Sequence, residues 1–292
     1  MDDLPRSAQP ASPPVPERPA RLYQTEAIIL SRMALNEADR IVTLFTPAYG
    51  KYRVIAKGAR RPTSRLGPHL EYFTHARLQM ARGRELDVVT GAETLRPHML
   101  LRTDLTAFGH ASHMAEVVLR LTEERQENAA VYHLLVKSLA LLDEAVDPFA
   151  VTRHFELAVM TLLGYRPELY RCIECGRDLE AEPNPFVASR GGFLCPVCRH
   201  RTTGSPMLSI NAQKYLRTLD RHGLGAAVRL RVPDGLRDEL EAFTSSYLRH
   251  IAERDFHSLR VWHAVTDGPG TSPPSAGASP PADRPAPGHA PG

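Results

Sequence analysis

No apolar run in these 292 residues approaches the roughly 18 needed to span a membrane, and the N-terminus lacks a charged start followed by a signal-type apolar stretch. Those absences point to a soluble, cytoplasmic protein. Catalytic signatures are missing too. There is no GxxxxGK[ST], no dinucleotide-type glycine fingerprint on a βαβ unit, no HExxH and no GxSxG, and no pair of carboxylates converges into an acid and a base. The expectation is a protein that is not an enzyme. Acidic residues are absent from one long stretch: between Asp39 and Glu71 there is no Asp or Glu, while Arg40, Lys51, Arg53, Lys57, Arg60, Arg61 and Arg65 all fall there. The overall charge of +3 decides nothing, but a basic stretch without acidic partners suggests a phosphate-binding surface.

Cysteine is scarce, and all four copies are used in two CxxC pairs, Cys172/Cys175 and Cys195/Cys198, nineteen residues apart. That is a zinc-ribbon spacing. Each turn aims two thiolates at one point, and four protein ligands leave no open position, so one Zn²⁺ here would be structural and would not activate water. Arg171, Arg177, Arg199 and Arg201 can offset the thiolate charge, and Gly176 permits the positive φ such knuckles need. Two disulfides would require an oxidising compartment, and a redox pair would leave one CxxC idle. His154-Phe155-Glu156 imitates the H-x-E of a zinc deaminase, but neither pair has the preceding proline and a deaminase needs only one pair.

Residues 1–20, with six prolines, and 267–292, almost wholly Pro, Gly, Ala, Ser and Thr, read as disordered tails. Between them, residues 23–34, 40–46, 51–57, 71–81 and 85–92 read as five short strands, which suits an OB-like barrel over 21–100. Pro47–Gly50 and Arg82-Gly83-Arg84 look like hairpin tips, with a long basic loop from Gly58 to Pro68. If 51–57 is extended, Lys51, Arg53 and Lys57 share one face and Tyr52, Val54 and Ala56 the other. The candidate nucleic-acid contacts are therefore Lys51, Arg53, Lys57, Arg60, Arg61, Arg65, Arg82 and Arg84. Tyr49, Tyr52 and Phe73 are the nearby candidates for stacking on bases, but taken singly each reads as core.

The remainder is helical. Leu105, Phe108, Ala111, Ala115, Val118 and Leu119 mark one helix face within 103–125, and 131–146 repeats the pattern. Asp147-Pro148 caps a helix that stops at Gly164, Asn211 is a candidate cap for the next, and Leu236, Leu240, Phe243, Tyr247 and Ile251 define a longer one. The cysteine segment, 171–205, thus interrupts a helical domain made of 101–170 and 206–266. The fold class is α+β. His110, His113, His154 and His250 read as core or solvent histidines and not ligands.

The runs Glu26-Ala27-Ile28-Ile29-Leu30, Asn36-Glu37-Ala38-Asp39-Arg40-Ile41-Val42, Tyr49-Gly50-Lys51, Ala56-Lys57-Gly58-Ala59-Arg60-Arg61 and Ser64-Arg65-Leu66, with Gly164-Tyr165-Arg166-Pro167-Glu168-Leu169 before the cysteines, resemble the RecO family. The resemblance covers everything between the tails. It implies a recombination mediator of the RecF pathway, nucleoid-associated, that binds single- and double-stranded DNA and anneals complementary strands. Its implied partners are RecR, the acidic tail of single-stranded DNA-binding protein and, indirectly, RecA. A zinc-stapled interaction or transcription-type module that does not anneal DNA is the competing expectation.

Overall fold

A computed structural model of the chain describes residues 21–253 apart from Thr203, together with Phe256 and Ser258; the two expected tails lie outside the described residues. Five strands form first in chain order: β1 (Leu22–Ala34), β2 (Arg40–Thr46), β3 (Gly50–Ala56), β4 (His75–Ala81) and β5 (Asp87–Arg96). Turn chemistry joins them. The Asn36 side-chain oxygen accepts from the amides of Ala38 and Asp39 at 2.9 and 2.7 Å, the Asx arrangement that reverses β1 into β2. Between β2 and β3 the Thr46 hydroxyl accepts from the Tyr49 amide, and Gly50 takes φ +59°. Glycine is required at that position for a second reason: an added Cβ would sit 1.8 Å from the Gln126 carbonyl oxygen, where the helical domain meets the barrel.

The strands pair in the order β1-β2-β3-β5-β4, and β4 returns to β1, giving the expected OB-like barrel. Its seam is thin, since β3 and β5 share only the parallel pairs Val54↔Asp87 and Ile55↔Val88. Alternation fills the interior with Ala27, Ile29, Val42, Leu44, Tyr52, Val54 and Ala56. The wall is apolar on both sides along β1. Ile28 and Leu30 point outward and join Phe45 and Phe73 in the larger core of the helical domain, each contributing about 1.5–3 kcal/mol by burial. A register shift between Ile29 and Ser31 accommodates this double use.

The helices are α1 (Leu100–Thr103), α2 (Leu105–Leu121), α3 (Ala129–Asp143), α4 (Pro148–Leu162), α5 (Ile210–His222), α6 (Leu224–Arg229) and α7 (Asp234–Ala252). Asp104, Asn128 and Asp147 cap α2, α3 and α4 through their side chains. Two expectations need correction. Leu105, assigned to a buried face, is 57% exposed because it occupies the first turn of α2. The cap of α5 is Ser209 and not Asn211: Ser209 has the extended backbone of a cap, its hydroxyl accepts from the Ala212 amide at 3.2 Å and donates to Glu239 at 2.7 Å. No described helix is long and apolar enough to cross a membrane.

Between α4 and α5 the chain makes a three-stranded sheet, β7-β6-β8, from β6 (Asn184–Val187), β7 (Gly192–Phe193) and β8 (Met207–Leu208). It is not an autonomous appendage. Phe186 lies 4.4 Å from Phe243 of α7 between ring centroids, and Phe193 stacks on the same ring at 6.2 Å, so the ribbon and the helices share one core.

Candidate metal centre and nucleic-acid interface

The four cysteine sulfurs lie within 4.8 Å of one another, with Cys172, Cys195 and Cys198 buried and Cys175 exposed. Each pair closes a tight turn: the Gly176 amide donates to the Cys172 carbonyl at 2.8 Å, with Gly176 at φ +71°, and the Cys198 amide donates to Cys195 at 2.9 Å. A tetrahedral thiolate shell with arms of about 2.3 Å has edges of about 3.8 Å. The Cys175 and Cys195 sulfurs are 3.8 Å apart, which fits that shell and is far too long for a disulfide of about 2.05 Å. The donor set therefore suits a soft divalent ion with no fifth ligand.

Electrostatics around the sulfurs are uneven. Burial alone would push the Cys172 thiol up, but the backbone amides of Cys195, Cys175 and Glu174 donate to its sulfur and bring it down to about 6. Burial, reinforced by the Cys195, Cys175 and Cys172 thiols, pushes Cys198 up to about 12. The expected arginine counter-charges are partly engaged elsewhere: Arg201 binds Glu174, and Arg171 lies 3.4 Å from Asp178. Glu174, inside the first pair, also takes Arg190 at 2.7 Å and so ties the two halves of the ribbon together; first Arg190 and then Arg201 hold its carboxyl below the usual range. Sequence reasoning missed that role, although a carboxylate between two cysteines in an arginine-rich segment was its visible signal.

The eight basic candidates on the barrel do not form one cluster. Tyr52, Val54 and Ala56 are buried and Arg53 is exposed, as alternation along β3 requires. Lys51 is half-buried and departs from the expectation: its ammonium donates at 2.6 Å to the carbonyls of both Leu119 and Thr122, at the C-terminal end of α2. Burial lowers its pKa, with Glu123 and Glu124 opposing. Arg53 lies 3.9 Å from Glu124, and Arg40 is drawn with Arg32 to Glu71. Residues 123–126 were not anticipated beside the barrel. They run along the edge of β3, with a Lys51↔Glu124 bridge and the Arg125 amide bonded to the Lys51 carbonyl at 2.7 Å.

Lys57, Arg60, Arg61 and Arg65 are exposed on the loop that leaves β3, and among the described residues no carboxylate forms an ion pair with them. This loop is organised. The Arg60 amide bonds the Ala38 carbonyl at 2.9 Å, its guanidinium reaches the Asn36 carbonyl, and the Gly58 amide donates to Asp39 at 2.7 Å. That amide is the main reason the Asp39 carboxyl is held low, followed by Asn36, with Lys57 and Arg61 adding to it. Arg82 and Arg84 stand elsewhere. β5 runs parallel to β3 from Val54↔Asp87 onward, so the 82–86 turn lies toward the Gly50 end of β3. The 57–65 loop instead continues β3 beyond Ala56, so the two loops leave the β3–β5 seam in opposite directions. Arg82 covers the Tyr23 ring at 5.0 Å and Arg84 is exposed. Of the aromatics, Tyr52 and Phe73 are core, and Tyr49 is half-buried against Tyr23 at 5.1 Å.

The histidine and glutamate of the H-x-E sequence serve packing. Glu156 is fully buried; burial would raise its pKa, but Arg153 at 3.0 Å and then His113 at 2.7 Å hold it below the usual carboxylate range. Arg153 in turn donates to Thr244 of α7 at 2.6 Å. His154 is buried with its pKa pushed down to about 4 by burial.

Comparison with known proteins accounts for nearly all of the described chain. Residues 21–98 match the family described as "Recombination protein O N terminal", and residues 102–260 match "Recombination protein O C terminal". A protein named "DNA repair protein RecO" from Roseiflexus sp. (strain RS-1) is 41% identical over 256 residues, covering 88% of this chain and 90% of that one. One of the same name from Heliobacterium modesticaldum is 36% identical over 252 residues, 84% of this chain and 90% of the relative. Another from Dehalococcoides mccartyi (strain 195) is 34% identical over 240 residues, 82% and 94% respectively.

Proposed function

The chain belongs to the RecO family, and from that premise we propose that it is a DNA-repair recombination mediator whose barrel binds single- and double-stranded DNA and anneals complementary strands. The observation that carries this reading is the ordered, exposed loop with Lys57, Arg60, Arg61 and Arg65 and no directly paired carboxylate among the described residues. Arg53 extends the surface along β3, and Arg82 and Arg84 form a separate outpost at the other end. Such a surface neutralises phosphates without reading bases, so it accepts either strand state. Annealing needs no more chemistry than that. The main obstacle is repulsion between two polyanions, which a positive platform reduces without nucleotide hydrolysis or a covalent step.

The four cysteines are assigned one Zn²⁺ as a staple of the ribbon, because the sulfur spacing fits a closed tetrahedral shell. In the cell the protein works in the cytoplasm at the nucleoid. With RecR, and through the acidic tail of single-stranded DNA-binding protein, it helps load RecA onto coated strands. Binding and annealing of oligonucleotides by the purified protein, measured across salt, test the proposal: affinity falls steeply with salt for both strand states. Absence of DNA retention at low salt would replace it with a protein-interaction module.

A further inference from the structure

Four apolar side chains outside the barrel belong to neither hydrophobic core. Strand register sets Met33 opposite Ile41, Ile41 opposite Ile55 and Ile55 beside Val88, making one row across β1, β2, β3 and β5. Paired residues share a face of a sheet, and the next rung, Val42 with Val54, is the one that points into the barrel. Met33 is 59% exposed, and Ile41, Ile55 and Val88 are half-buried.

The neighbouring outward rungs show that this row is a choice of residues and not a requirement of the sheet. Ile28, Phe45 and Lys51 form a rung covered by the helices. Ser31, Thr43 and Arg53 form the next, which is polar, with the Ser31 hydroxyl donating to Thr43 at 2.9 Å. The apolar row follows, open to solvent, and beyond it come exposed Leu35, Lys57 and the Arg60–Arg65 loop. Cations therefore stand on both sides of an exposed aliphatic strip. Across four strands the strip is about 14 Å wide.

A ligand that matches both features must carry negative charge and flat apolar surface at close spacing. A single strand of DNA does so: phosphates meet Arg53, Lys57, Arg60 and Arg61 while unstacked bases lie on the aliphatic row. In a duplex the base faces are buried in the stack, so only the cations are engaged. We propose that Met33, Ile41 and Ile55 form a base-contacting platform that favours single strands over duplex on a surface whose cations bind both. This rests on the barrel reading of the preceding subsection. Aliphatic contact takes the place of aromatic stacking, because Tyr52 and Phe73 are used in the cores.

The test is a variant carrying Met33→Ser, Ile41→Thr and Ile55→Thr, assayed on a 30-nucleotide single strand and on its duplex at several salt concentrations. Single-strand affinity falls roughly tenfold, while duplex affinity and both salt slopes stay within error of the parent. Equal losses on the two substrates, or an unchanged single-strand affinity, overturn the platform; unchanged DNA binding with loss of a protein partner would make the row a protein-docking surface instead. If the parent itself binds neither substrate in a salt-dependent way, the barrel reading fails first, and the two failures are distinguishable. Met33→Trp, at an exposed position, gives a second readout, taken as the change in DNA-induced fluorescence relative to the parent protein. Single-stranded DNA quenches the new indole and duplex does not; no quenching by single strands contradicts the proposal.

Discussion

The ammonium of Lys51, on strand β3, lies 2.6 Å from the carbonyl oxygen of Leu119, near the end of helix α2. With the equal bond to Thr122 it closes the C-terminus of that helix against the barrel, a join completed by the contact of Gly50 with Gln126. Helix-terminal carbonyls carry partial negative charge, so a lysine suits this position better than any neutral side chain.

Lys51→Met removes these two bonds, and the expected outcome is a loss of stability with DNA binding retained. Urea unfolding shows a loss of about 1.5–3 kcal/mol, the range for hydrogen bonds to charged groups. The salt slope of DNA binding stays at the parent value. A flattened slope with full stability would return Lys51 to the phosphate-binding set.

Much of this molecule was legible in its sequence because the signals are local. Alternation along β3 is a property of Tyr52, Arg53 and Val54 themselves, and each CxxC turn is closed by bonds within a few residues. The cap Asp147 acts the same way. The helix-end contacts of Lys51 were not legible because its partners are 68 and 71 residues away, and nothing near it in the chain announces them. The separation of Arg82 and Arg84 from Arg60 and Arg61 depends on the parallel seam of β5 with β3, a topological fact that composition does not carry. Asn211 lost the cap to Ser209 because Glu239, on a distant helix, also holds the Ser209 hydroxyl.

Zinc removal should not stay local. Cys175→Ser, at the exposed cysteine, is expected to abolish binding of the one zinc proposed for the four sulfurs, and hydrogen exchange rises first over 172–200. It then spreads to α7, because Phe186 and Phe193 pack on Phe243. Exchange in the barrel strands is unchanged. Full metal content in this variant would show that the four sulfurs are not one site.

Acid destabilisation has an identifiable source in His154. Burial lowers its folded pKa from the ordinary 6.5 to about 4, so the unfolded chain takes up the proton first. The corresponding stability, about 3 kcal/mol, is fully present above pH 6.5 and is lost as pH falls toward 4. His154→Leu removes most of this slope between pH 4.5 and 7 in urea titrations. An equally steep slope in the variant would assign the effect to other groups.

The central claim is that the exposed loop cations hold DNA through its phosphates, and the salt dependence of Arg60→Ala with Arg61→Ala measures it most directly. Each phosphate contact on a single strand contributes about 0.7 to the slope of log affinity against log salt. The double variant should lower the slope by roughly 1–1.5, weaken binding to all sequences alike and slow annealing, while Arg177→Ala, beside the cysteines, changes little. A double variant that binds and anneals like the parent, with an unchanged slope, would contradict the account.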